Sequence, residues 1–227
     1  YNVTVKLLDS ADFGLPQSRK RVYIVGVDKA IGTVNLNNLQ HSRKTFGTIK
    51  ESGLPLESSM FTKALLAKYR TNQLDGKCLK DKRGGKRNIH SWDIEIKGTV
   101  SREQKELLNS LLKERRRRKW ADIIGIEWMD GMPLTLDQIK SFYNKPKLQE
   151  MLDDLVEKGY LVLEHPKKKV YIRQGQNVSS IRVADESKPK GYNIVTGKLS
   201  FEFSQFLDSN DVAPTMVAMD MGRVGVV

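Results

Sequence analysis

Two short apolar runs open the chain, Val3 to Asp9 (VTVKLLD) and Val22 to Asp28 (VYIVGVD), and both predict strands. The second is almost continuously apolar, as expected of a strand covered on both faces of an α/β sheet. Between them SADFGLPQSRK carries Gly14 and Pro16, which break regular structure and predict a loop at a sheet edge. Beyond residue 30 the character changes: Asn, Gly, Ser and Lys accumulate, and one helix is predicted from about Ser59 to Tyr69. Ser101 and Gln104 have capping-box spacing, and Leu107, Leu108, Leu111 and Leu112 recur behind them as the stripe of an amphipathic helix.

A third unit opens at Pro133. Thr135 and Gln138 repeat the capping-box spacing ahead of a short helix through Tyr143. Pro146 suits the first turn of a second helix, striped by Leu148, Met151, Leu152 and Leu155 and ended by Gly159. YLVLE, HPKKK and VYIR then predict a hairpin with a basic tip at Lys167, Lys168 and Lys169. Helix, turn, helix, hairpin is winged-helix order, and an ordinary α+β packing unit has the same order. From Gly197 the pattern predicts a strand (KLSFEF), a polar loop and a final apolar segment that stops at VGVV. That ending, with Tyr1 rather than Met at the start, is expected of a fragment or excised domain.

Composition narrows the class. The chain has 227 residues and a formal net charge of +12, which favours polyanionic partners, nucleic acid first. No run approaches the ~18 apolar residues of a membrane span, so no membrane partner is expected. A single cysteine, Cys78, excludes an intramolecular disulfide framework and fits a reducing, cytoplasmic compartment. His41, His90 and His165 lack zinc-ligand spacing, and no metal site is expected.

Three stretches could carry chemistry. Residues 74–91 (LDGKCLKDKRGGKRNIHS) are too charged and glycine-rich for a core; a plain surface loop is one reading, a DNA-reading loop the other. KERRRRKW ends the long predicted helix, where the macrodipole favours cations by roughly 0.3–1 kcal/mol each. Five successive cations, Arg115 to Lys119, exceed what dipole complementation requires, and a phosphate backbone would relieve their repulsion. Asp93, Glu95 and Lys97 form an Asp-x-Glu-x-Lys string on a predicted strand, where all three would face one way and could serve a magnesium-dependent nuclease.

The string Phe13, Gly14, Pro16, Gln17, Arg19, Arg21, followed by VYIVG, resembles the Gln-x-Arg-x-Arg block of DNA (cytosine-5)-methyltransferases. RGGKRNIHSWDIEIKG is similar to a block in the target-recognition region of some bacterial members, and Ala213-Pro214-Thr215 resembles the run with which the chain returns to the catalytic domain. The resemblance implies that Gln17 shapes the loop while Arg19 and Arg21 line the pocket of a flipped cytosine, and that Thr215 contacts the backbone beside it. Residues i and i+2 of an extended segment face the same way, and guanidinium forks suit acceptor-only groups. The family's Pro-Cys-Gln nucleophile, its Phe-x-Gly-x-Gly cofactor turn and its Glu-Asn-Val element have no counterpart here; Cys78 sits in Gly-Lys-Cys-Leu.

The expected fold is therefore α+β: an edge of an α/β methyltransferase domain at 1–30, a target-recognition domain at 31–208 with a winged-helix-like unit at 133–173, and a return segment at 209–227. The expected function is DNA sequence recognition and support of the flipped cytosine within a bacterial restriction–modification enzyme that uses S-adenosyl-L-methionine. The chain by itself is expected to bind no cofactor and to be inactive. Its expected partners are double-stranded DNA and the remaining catalytic portion, on the same chain or a separate subunit. Besides Thr215, the expected DNA contacts are Lys82, Arg83, Gly84, Gly85, Lys86, Arg87 and His90, with Arg115, Arg116, Arg117, Arg118 and Lys119. The alternatives are a stand-alone winged-helix DNA-binding protein and the nuclease built on Asp93, Glu95 and Lys97.

Overall fold

In chain order the elements are β1 (Asn2–Asp9), β2 (Lys20–Val27), α1 (Met60–Lys68), α2 (Thr71–Leu74), β3 (Cys78–Leu79), β4 (Asn88–Ile89), α3 (Arg102–Glu114), α4 (Arg118–Ile124), α5 (Leu136–Lys140), α6 (Leu148–Glu157), β5 (Leu161–Glu164), β6 (Lys167–Gln174), β7 (Asn177–Ala184), β8 (Gly191–Ile194), β9 (Gln205–Phe206) and β10 (Val224–Gly225). This computed structural model describes residues 1–82, 84–174, 177–196, 204–216 and 222–227. Helices and short, mainly antiparallel strands are mixed, an α+β fold, in two units: Tyr1–Ser59, Tyr69–Cys78 and Glu202–Val227 form one, Met60–Lys68 and Leu79–Phe201 the other. KLSFEF, expected as a strand, lies outside the described residues.

The first unit is organised by the β1–β2 pair, with Val3 opposite Gly26, Val5 opposite Ile24 and Leu7 opposite Val22. Cross-strand partners share a face, so these apolar side chains stand together. The other face is polar and covered: Asn2, Thr4 and Lys6 donate to the carbonyls of Gly32, Val34 and Leu36. The expectation that VYIVGVD is covered on both sides is not met. Val3, Val5, Leu7, Val22 and Ile24 remain 61–70% exposed, because among the described residues no layer packs on that face.

The second unit holds the larger core, where Leu107, Leu108 and Leu111 of α3 meet Leu152 and Leu155 of α6, with Trp92, Trp120, Met132 and Tyr160 around them. Both predicted capping boxes form. Ser101 Oγ accepts from the Gln104 amide while Gln104 Oε1 accepts from that of Ser101, and Thr135 and Gln138 do the same. Gly159 takes the positive φ expected of a helix stop. Pro146, expected in the first turn of α6, precedes the helix instead, and Lys147 enters it at φ 60°. The predicted hairpin is also redrawn. β5 pairs with β8, and β6 with β7, so Lys167, Lys168 and Lys169 lie within a strand rather than at a turn. Leu134 bridges Tyr192 of β8 through two backbone hydrogen bonds, and a Cβ on neighbouring Gly191 would come within 2.6 Å of the Leu134 backbone.

Glu95 ties two helices of this unit together, accepting from Lys68 of α1 at 2.7 Å and Lys105 of α3 at 3.0 Å. These two bonds, that from Lys68 first, pull its pKa from 4.5 down to about 2. A depressed carboxyl pKa contributes stability above the unfolded value and loses it as pH falls through the folded one. Glu95→Gln is therefore expected to cost about 1 kcal/mol at pH 7, the scale of partly exposed pairs. In urea titrations the difference from the parent should shrink between pH 5 and pH 2, and a constant difference would contradict this assignment.

Candidate nucleic-acid interface

The arginine block is held from both sides within the first unit. Asp9, the last residue of β1, accepts from the Ala11 and Arg19 amides and from Ser18 Oγ at 2.7 Å. The Ser18 hydroxyl, with these amides, holds the Asp9 carboxyl below its ordinary range. Ser10 Oγ donates to the Gln17 carbonyl at 2.6 Å, closing the loop's neck. At its tip Gly14 adopts φ +82°, a conformation that favours glycine, and its amide donates to Ser42. Phe13 stacks on His41 with ring centroids 5.2 Å apart.

The far side of the block is locked to a segment almost two hundred positions later. Gln17 and Ala213 form a parallel bridge, with Ser18 N–H donating to Ala213 O and Ala213 N–H to Pro16 O, each at 2.8 Å. Gln17 Nε2 donates to the Pro214 carbonyl at 3.3 Å, and Thr215 Oγ1 to the Ser18 carbonyl at 2.5 Å. The two motif-bearing stretches thus form one backbone-bonded patch. Gln17 and Thr215 spend their visible bonds on this lock, whereas Arg19 is exposed and its guanidinium has no partner among the described residues. Arg21, also exposed and opposite Leu8 in the ladder, donates to the Lys20 carbonyl. Sequence reasoning missed Asp9, Ser10 and Ser18; an Asp-Ser pair at the end of a strand, with its capacity for turn-forming side-chain bonds, was the available signal.

In the second unit the 79–93 loop is clamped at its base. Lys80 N–H donates to Ile89 O, and Asp81 accepts the Ser91 amide at 2.8 Å. Burial of the Asp81 carboxyl pushes its pKa upward. His90 is only 5% exposed, stacks on Trp92 at 4.5 Å and meets the Lys80 carbonyl through Nδ1, so its ring is committed to the loop. Lys82, Gly84, Gly85, Lys86 and Arg87 are exposed above this base, and Arg83 lies outside the described residues.

The Arg115–Lys119 run straddles the end of α3 and the start of α4, and its charges are paired off. Arg116 meets Asp130 at 2.7 Å, Arg117 and Lys119 share Glu114, and Arg118 lies 3.9 Å from Asp122. Arg115 is buried, donates to Asn193 Oδ1 at 2.6 Å and has its pKa lowered to about 10 by desolvation. The mutual repulsion inferred from the bare sequence is relieved inside the fold. Asp93, Glu95 and Lys97 do not lie on a strand: residues 91–97 form turns. Asp93 accepts the His90 amide, Glu95 binds two lysines, and Lys97 Nζ donates to Gly159 O, so the three do not converge.

Comparison with known proteins agrees with the patch at the arginine loop. The family model for C-5 cytosine-specific DNA methylases matches residues 1–149. The chain is 57% identical over its whole length to the type II methyltransferase M.NlaIV of Neisseria lactamica, and 55% to M.NgoBV of Neisseria gonorrhoeae. It is 31% identical, again over its whole length, to M.BanI of Aneurinibacillus aneurinilyticus. In each case it covers 51% of the relative, so the chain spans about half the length of the curated relatives it matches. No solved structure gives a significant match. By the family model and by full-length similarity to these methyltransferases, the chain belongs to the C-5 cytosine-specific DNA methylase family.

Proposed function

We propose that this chain is the DNA-reading portion of a bacterial type II DNA (cytosine-5)-methyltransferase. The observation that carries the reading is the lock between Pro16–Ser18 and Ala213–Thr215, which joins the two family-like blocks into one patch while leaving Arg19 and Arg21 exposed. In this proposal Arg19 and Arg21 face the cytosine carbonyl and the adjacent phosphate of a base rotated out of the stack, and Gln17 and Thr215 hold the loop that presents them. The unpartnered apolar face of β1–β2 supports assigning 1–30 and 209–227 to the edge of the catalytic domain, whose remaining layers would cover Val3, Val5, Leu7, Val22 and Ile24. The methyl donor is S-adenosylmethionine, and its site is placed outside these residues. Here β1 leads into a single 3₁₀ turn at Ser10–Asp12 and then the arginine loop, which does not fit a nucleoside cradle of the strand-to-helix type.

Residues 31–208 are proposed as the target-recognition domain, reading duplex DNA in the major groove. Within it, α3, the Leu134 bridge, α5, α6 and the β5–β8 pair follow winged-helix order, which supports such a unit from residue 133 onward. The exposed 82–87 loop above its His90–Trp92 base is the proposed groove contact, with backbone at Gly84 and Gly85 able to approach base edges. Neutralising Lys86 and Arg87 to glutamine is expected to flatten the salt dependence of duplex binding by about two units, near 0.9 per phosphate released. An unchanged slope would remove this loop from the interface.

A further inference from the structure

The β6–β7 ribbon has a division of charge that the proposed function does not use. In its register Lys169 lies opposite Arg182, Tyr171 opposite Ser180, and Arg173 opposite Val178. Alternation then puts Lys167, Lys169, Tyr171, Arg173, Ser180 and Arg182 on one face, and Val170, Ile172, Ile181 and Val183 on the other. The polar face carries four cations and no carboxylate. Only Glu127, 3.9 Å from Lys169, offers one of them an ion pair, and Lys167 and Arg173 have none among the described residues. Lys169 sits 5.1 Å over the ring of Tyr171, which is 65% exposed at the centre of the face. A two-stranded ribbon has the width the major groove of B-DNA admits, and eight paired positions extend about 26 Å at roughly 3.3 Å per residue.

Helix α6 has the opposite character. In a helix-turn-helix the second helix ordinarily enters the groove. Here its exposed positions include Glu150, Asp153 and Glu157, an acidic stripe at helical spacing that a phosphate backbone would repel. Building on the DNA-reading proposal above, we infer that this unit meets DNA through the basic face of the β6–β7 ribbon and turns α6 away from the duplex. Lys167, Lys169, Arg173 and Arg182 contact phosphates, and Tyr171 reaches the groove between them.

The test uses the complete protein and a duplex carrying its target site. Lys169→Gln, Arg173→Gln and Arg182→Gln combined should flatten the slope of log affinity against log salt by about two to three units and weaken binding at least about tenfold near physiological salt. Glu150→Gln with Asp153→Asn should leave the slope unchanged. A photo-crosslinking residue at position 171, in otherwise unsubstituted protein, should capture DNA, and one at position 150 should not; this arm is independent of whether the triple variant folds. If the parent binds duplex DNA and the triple variant keeps its slope, or position 150 crosslinks in place of 171, the ribbon assignment is overturned while the DNA-reading proposal stands. If the parent shows no salt-dependent duplex binding, both fall.

Discussion

Arg19→Ala in the full-length enzyme is expected to lower methyl transfer by about 10²–10³-fold, the range for losing one preorganised donor at a reacting group. Affinity for duplex DNA should change less than about tenfold, because many backbone contacts share that energy. The residue is exposed, its guanidinium is unpaired among the described residues, and its backbone is fixed by Asp9 and Ser10. The fold thus pins the base of a side chain and leaves the fork free for something else. Arg19→Lys should recover little, since an ammonium cannot reproduce the planar bidentate fit. Asp9→Ala should give a smaller defect of about 10-fold to 100-fold by releasing the Ala11, Ser18 and Arg19 bonds and letting the loop shift, as displacements near 1 Å are that costly. The measurements are single-turnover methyl transfer and the fluorescence of 2-aminopurine at the target position. Full rate and full flipping signal in Arg19→Ala would take this residue out of the pocket.

Leu152→Ala is the second large effect, on stability rather than chemistry. Leu152 is fully buried on α6 against the leucines of α3, and truncating such a side chain costs about 2–5 kcal/mol as the transfer and cavity contributions add. Val5→Ala in the same chain should change stability by less than about 0.5 kcal/mol, because Val5 faces solvent. Urea unfolding of the two variants checks both expectations. Equal losses would mean that the apolar face of β1–β2 is packed in solution.

The elements that were legible before any coordinates are those governed by local rules. The capping residues Ser101 and Thr135, the leucine stripe of α3, the stop at Gly159 and the first two strands lie where the pattern puts them, because a cap or an amphipathic stripe is decided within a few residues. The β5–β6 hairpin was misread for the complementary reason. HPKKK has the composition of a turn, but strand partners are chosen by long-range pairing, and here β8 arrives from thirty residues downstream to take β5. His90 illustrates the same limit at the level of a side chain. In sequence it is a polar residue in a polar loop, and only the approach of Lys80 and Trp92 makes it internal.

The chain's own order of residues therefore settled its α+β class, its basic character, its capped helices and, through the Gln17-x-Arg19-x-Arg21 string, the family to which it belongs. Tertiary structure decided which charges are available. Arg115 is drawn into the interior and Arg116 to Lys119 are neutralised by Asp130, Glu114 and Asp122, whereas Arg19 and one face of the β6–β7 ribbon are left open. It also brought Ala213–Thr215 back against the arginine loop. A count of cations is a property of composition, but a free cation is defined by what folds beside it, and that depends on contacts between residues far apart in the chain.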